Sequence, residues 1–141
     1  MPLSRILPLL LALAGSSCSR TGESAIQAQL DKGTGIVRLP PGTTELTREL
    51  RLPPEAHDLE IIGESTTVLR ATRDFQGRAM LDLGGARNVT IRGIQFDGNR
   101  AENDRRIDRP FAGVPYSQHF GASGILAVKA AAIRISGIYF R

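Results

Sequence analysis

The chain has no tryptophan, one cysteine, two histidines and two methionines, and aromatic residues make up only 5% of its 141 positions. Without large rings, any core must be filled by aliphatic side chains. The single cysteine, Cys18, excludes an internal disulfide. Cysteine and histidine are too few and too scattered for zinc-type ligand spacing, and no phosphate-cradling glycine loop is present. No apolar run approaches the ~20 residues that span a bilayer. Lysine is scarce too: Lys32 and Lys129 stand alone, so arginine supplies nearly all of the 18 basic side chains behind the formal charge of +4. The arginines are scattered, with no basic helix and no recognisable nucleic-acid module, which argues against nucleic acid as a partner. Arginine grips carboxylates bidentately and so suits an acidic partner; a compositional bias of the genome would leave the same mark.

What is present begins with an address. Arg5 supplies a positive start, Ile6 to Ala14 form a short apolar stretch broken by Pro8, and Gly15-Ser16-Ser17 lead to Cys18. Such a stretch reads as a cleaved signal rather than a span. The placement of Cys18 resembles a bacterial lipoprotein signal, in which that cysteine is acylated and becomes the new amino terminus. Gly15 departs from the Leu, Val or Ile usual at its position, and simple secretion is the alternative. The expected division is 1–17 signal peptide, 18–23 tether and 24–141 folded domain. The expected location is extracytoplasmic, lipid-anchored in the cell envelope or secreted, with membrane contact only through an anchor at Cys18.

Past the tether, Ser24-Ala25-Ile26-Gln27 has capping-box spacing. Ile26 and Leu30 then share a face of a short helix that Gly33 is placed to end. From Ile36 onward the pattern turns to short alternating runs bounded by Gly, Pro and Asn. Asn88-Val89-Thr90-Ile91-Arg92-Gly93-Ile94-Gln95-Phe96 and Ala132-Ile133-Arg134-Ile135-Ser136-Gly137-Ile138-Tyr139-Phe140 repeat one unit, and Leu59-Glu60-Ile61-Ile62-Gly63 begins a weaker copy. Each is preceded by another alternating run: Leu50-Arg51-Leu52, Leu81-Asp82-Leu83 and Leu126-Ala127-Val128. Alternation points Val89, Ile91, Ile94 and Phe96 inward and Thr90 and Gln95 outward. Glycines 63, 93 and 137 fall at bends between strands. Repetition with three short strands per unit predicts a solenoid of about three to four coils. In that register Arg51 and Asp82 are outward neighbours, and Ile61, Ile91 and Ile135 form an interior ladder. A β-sandwich also uses short alternating strands but does not explain the repeat.

Ile26-Gln27-Ala28-Gln29-Leu30, followed by Gly35-Ile36-Val37-Arg38-Leu39-Pro40-Pro41-Gly42-Thr43, resembles the opening of the pectate-lyase-like right-handed parallel β-helix superfamily. Asn88-Val89-Thr90-Ile91-Arg92-Gly93 and Phe96-Asp97-Gly98-Asn99 are similar to its repeat, and the resemblance covers about residues 25–141. It implies an all-β, right-handed parallel β-helix with a short amino-terminal capping α-helix. It also implies a carbohydrate-active protein that acts on acidic polysaccharide as a lyase, hydrolase or epimerase. A non-catalytic glycan-binding or adhesin-type surface protein, or an inactive fragment of a longer protein, are the alternatives. The run ends on a repeat strand at Arg141 with Ile138 and Phe140 inward, which predicts further coils beyond it or a covering partner.

Candidate chemistry gathers between Phe96 and Gly124, since loops beyond about 12–15 residues are commonly functional. Asp97-Gly98-Asn99 could present Asp97 for acid/base work and Asn99 for substrate, or serve as ordinary turn chemistry. His119 could be a general base or a loop histidine bonded to backbone. Arg105, Arg106 and Arg109 could hold uronate carboxylates, or form a solvated salt-bridged loop with Asp104 and Asp108. Tyr116 could stack on a sugar or anchor the loop. His57, in a proline-rich turn, reads as inert. The asparagine, aspartate, histidine and lysine motifs of polygalacturonases are missing, as is a carboxylate cluster for calcium outside this loop. No metal site is expected, and no cofactor can be named.

Overall fold

The computed structural model describes residues 20–103 and 123–141. In chain order the elements are α1 (Arg20–Leu30), β1 (Gly35–Arg38), β2 (Gly42–Arg51), β3 (His57–Ile62), β4 (Thr67–Asp82), β5 (Arg87–Arg92), β6 (Gln95–Asp97), α2 (Arg100–Asn103), β7 (Ser123–Leu126), β8 (Ala131–Ser136) and β9 (Tyr139–Phe140).

The strands form two parallel sheets, one ordered β1-β3-β5-β8 and the other β2-β4-β6-β9, with β7 also pairing with β4. The expected right-handed β-helix, a single column with three strands per unit, is therefore corrected: the described residues make two separate parallel sheets rather than one solenoid. The reason lies in the first two of the runs that precede the repeats, since the third ends the separate short strand β7. Leu50-Arg51 and Leu81-Asp82 are not strands of their own; they are the far ends of β2 and β4. Register shifts between Leu46 and Arg48, and again between Arg48 and Leu50, let those ends pair with each other. One long strand thus does what two short ones were expected to do.

Within each sheet the expected register is present. Ile61 pairs with Ile91 and Ile91 with Ile135, and Arg51 pairs with Asp82, although Asp82 is buried rather than outward as expected. Val89, Ile91, Ile94 and Phe96 are buried in a core fed by both sheets, where each such side chain contributes about 1.5–3 kcal/mol. The ladder is not interior throughout, however. Ile135, on the edge strand β8, is 50% exposed, and Phe140 is 56% exposed although it stacks on Phe96 at 5.4 Å between ring centroids.

The bend at Gly93 is enforced by space. Its φ is +69°, and an added Cβ would sit 2.6 Å from the carbonyl oxygen of Gly63, so both conformation and close approach require glycine.

Ala25, Gln27, Ala28, Gln29 and Leu30 favour helix, and Ile26 and Leu30 bury the expected face of α1. Gly33, at φ +71°, ends it by donating its amide to the Leu30 carbonyl at 3.0 Å. The helix starts at Arg20, so the expected Ser24–Gln27 capping box is not at its amino end, and the stretch expected as tether is helical from Arg20. Gln27 is used elsewhere. Its amide donates to the Arg51 carbonyl at 2.8 Å and accepts from the Arg51 N–H at 3.0 Å. Glu23, one turn earlier, accepts from the Thr47 and Arg48 N–H groups at 3.2 and 3.1 Å and from the Thr47 hydroxyl at 2.8 Å. Two side chains of α1 thereby occupy the open edge of β2, which would otherwise offer unpaired backbone to another chain.

Candidate functional site

The expected site residues divide in two. Cys18, Arg105, Arg106, Arg109, Tyr116 and His119 lie outside the described residues. Asp97 and Asn99 lie at the end of β6 and the start of α2.

Asp97 Oδ1 accepts the Asn99 N–H at 2.9 Å, while Oδ2 lies 3.0 Å from Arg141 Nη2 and 3.9 Å from Arg70 Nε. Asn99 is buried at φ +50°. Its Oδ1 accepts from Arg70 Nη2 at 3.2 Å and its amide donates to Glu102. Its carbonyl accepts the Glu102 and Asn103 N–H groups at 3.0 Å, which opens α2. Both oxygens of the Asp97 carboxylate are engaged, and the geometry is that of a turn that caps a short helix. The neighbouring strands continue a row of alternating charge: Glu45 pairs in register with Arg70, and Arg70 with Asp97.

The outer face of the first sheet is different in kind. Ile36, Glu60, Thr90 and Arg134 stand side by side on β1, β3, β5 and β8. An open groove of about 300 Å³ runs across them, lined also by Gly35, Asp58, Leu59 and Asn88. Asp58 and Asn88 hold φ of +49° and +52°, and Ala132 has +56° at the equivalent place on β8. Asp and Asn tolerate that conformation because their short side chains bond locally. Here those side chains bond across strands. Arg134 Nη1 donates to Asn88 Oδ1 at 3.1 Å, and Asn88 Nδ2 donates to Asp58 Oδ1. Beside this row Arg92 Nε meets Glu60 Oε1 at 2.8 Å. Arg38 and Arg87 lie exposed on the same sheet and make no ion pair among the described residues.

Sequence reasoning passed over Asp58, Asn88 and Arg134 because it followed the inward half of the alternation. The signal was in the same strings: polar residues recur at the intervening positions of the repeated run. His57, read as inert, places Nδ1 3.0 Å from the Glu55 carbonyl oxygen. Among the described residues no group of three or more His, Cys, Asp or Glu side chains could hold a metal ion, and no helix is long and apolar enough to cross a membrane.

Comparison with known proteins finds no match to this chain among family models, curated proteins or solved structures.

Proposed function

We propose that the chain is an extracytoplasmic protein that binds acidic polysaccharide across the outer face of the first sheet. The observation that carries this reading is the open groove over Glu60, Thr90 and Arg134, walled by Asn88 and Asp58. Small-molecule sites are enclosed and largely apolar. This groove is open, and its lining offers an amide, a hydroxyl, carboxylates and a guanidinium, groups that pair with the hydroxyls and carboxylates of a sugar chain. Arg134 spends one N–H on Asn88; the other donors of its guanidinium fork are suited to a carboxylate. Arg38 and Arg87 add positive charge on the same sheet that no ion pair among the described residues offsets. The signal-like amino-terminal stretch supports an extracytoplasmic location, with Cys18 as the candidate lipid anchor.

Binding fits the described groups better than turnover. Asp97, the candidate acid or base, has both oxygens committed to the turn and to two arginines. Electrophoresis through gels carrying polygalacturonate, alginate or hyaluronan tests the reading against a dextran control. Retardation in at least one acidic gel and none in dextran is expected, and Arg134→Ala weakens it about tenfold, or about 1.4 kcal/mol. Free migration in all of them would end the proposal. Release of unsaturated products or reducing ends would move the protein from binder to enzyme.

A further inference from the structure

We propose that the edge formed by β8 and β9 takes an extended segment of another polypeptide as one further strand, and that this segment carries carboxylates at its outward positions. The two ends of the sheets differ. At β2, side chains of α1 occupy the edge. At the other end β8 and β9 are the last strands, and each pairs on one side alone among the described residues. Such an edge offers free N–H and C=O groups to an incoming strand. Along it Val128, Ile135, Tyr139 and Phe140 are large apolar side chains left exposed.

The ladders already built specify what the next strand brings. On the first sheet Leu59, Val89 and Ile133 form one apolar column and Ile61, Ile91 and Ile135 another, with Glu60, Thr90 and Arg134 between them. On the second, Leu69, Phe96 and Phe140 stand in register. Beside them the sign of charge alternates from Glu45 to Arg70 to Asp97, which meets Arg141 at 3.0 Å. The rung at the edge breaks that balance: residues 123–141 contain Lys129, Arg134 and Arg141 and no carboxylate. A strand with alternate apolar side chains and Asp or Glu opposite Arg134 and Arg141 extends both the columns and the alternation. Opposite charges on adjacent strands attract, and like charges repel. The same charges decide against a second copy of this chain. Two such edges brought together oppose cations only, and the far edge of the second sheet is closed by α1. The basic edge admits an acidic strand and turns away the molecule's own.

The test uses the full chain and fluorescent peptides with the sequence of residues 131–141, read by anisotropy. A peptide with Arg134→Glu and Arg141→Glu is expected to bind about tenfold more tightly than the unchanged peptide, with a gap that narrows in high salt. Ile133→Pro and Ser136→Pro, added to the acidic peptide at positions of opposite parity, are expected to abolish binding because they remove strand donors. In the protein, Arg141→Glu is expected to weaken the acidic peptide about fivefold; the peptide comparison itself needs no altered protein. Equal affinity of the acidic and unchanged peptides, binding that survives the prolines, or dimers of the protein alone in light scattering each overturns the inference. Failure of every peptide to bind overturns it as well and leaves the cations as guards on the edge.

Discussion

Asn88 and Asp58, on adjacent parallel strands, share a left-handed backbone and are joined by the amide of one and the carboxylate of the other. The third position of that column is Ala132, with the same backbone and no side chain to bond. An alanine there carries a conformational cost of roughly 1–2 kcal/mol. Ala132→Asn is therefore expected to stabilise the protein by about 0.5–1 kcal/mol, and Asn88→Ala to destabilise it by about 1–2 kcal/mol. Urea midpoints of the two variants, moving in opposite directions, check the pair.

Gly93 separates two contributions that usually arrive together. Gly93→Ala is expected to cost about 3 kcal/mol or more, since an unfavourable φ is compounded by overlap with backbone that cannot move aside. Gly35 has φ +90° but nothing within 4 Å of an added Cβ, so Gly35→Ala should cost only about 1–2 kcal/mol. Thermal denaturation of both would show whether steric overlap at the bend matters; equal losses would mean that it does not.

Removal of the buried Glu23 carboxylate leaves the Thr47 and Arg48 N–H groups without their acceptor at a part-buried contact. Glu23→Ala is expected to cost about 2–3 kcal/mol. Glu23→Gln, which keeps one acceptor oxygen, should recover part of it. Light scattering on the alanine variant should also show association that depends on concentration, because the edge of β2 is then open.

Asp97→Asn keeps an oxygen for the turn and removes the charge opposite Arg141 and Arg70. Exposed pairs of this kind are worth about 0–1 kcal/mol. Stability should change by no more than that, and retardation in acidic gels should be unchanged. A loss of binding would relocate the site to the second sheet.

Cys18→Ser should shift the protein from the membrane fraction to the soluble extracytoplasmic fraction, and intact mass should lose the acyl groups. Recovery with membranes despite the change would remove the lipid anchor from the account.

The local elements of this fold could be read in the sequence, but its architecture, two separate parallel sheets in place of the expected solenoid, could not. The alternation gave the inward set around Val89 and Ile91, the glycines gave the bends, and Ile26 with Leu30 gave the buried face of α1. Short-range pattern did not reveal that Leu50-Arg51 continues β2, because strand continuity across a register shift is decided by pairing with β4. The start of α1 was hidden for a similar reason: Gln27 bonds the distant Arg51 backbone in place of its own helix end. The row from Arg134 to Asp58 is also non-local. It appears only when three strands from separate parts of the chain are laid side by side.

Every strand in the two sheets pairs with one that is not its immediate neighbour in the chain. No hairpin exists among the described residues to start assembly from a turn, and each rung must wait for the loop that returns to it. Such a molecule gains native order slowly and exposes raw strand while doing so, on the order of milliseconds to seconds by comparison with other non-local topologies. In the finished protein, α1 closes the outer edge of the second sheet with side chains where a further strand would otherwise be needed.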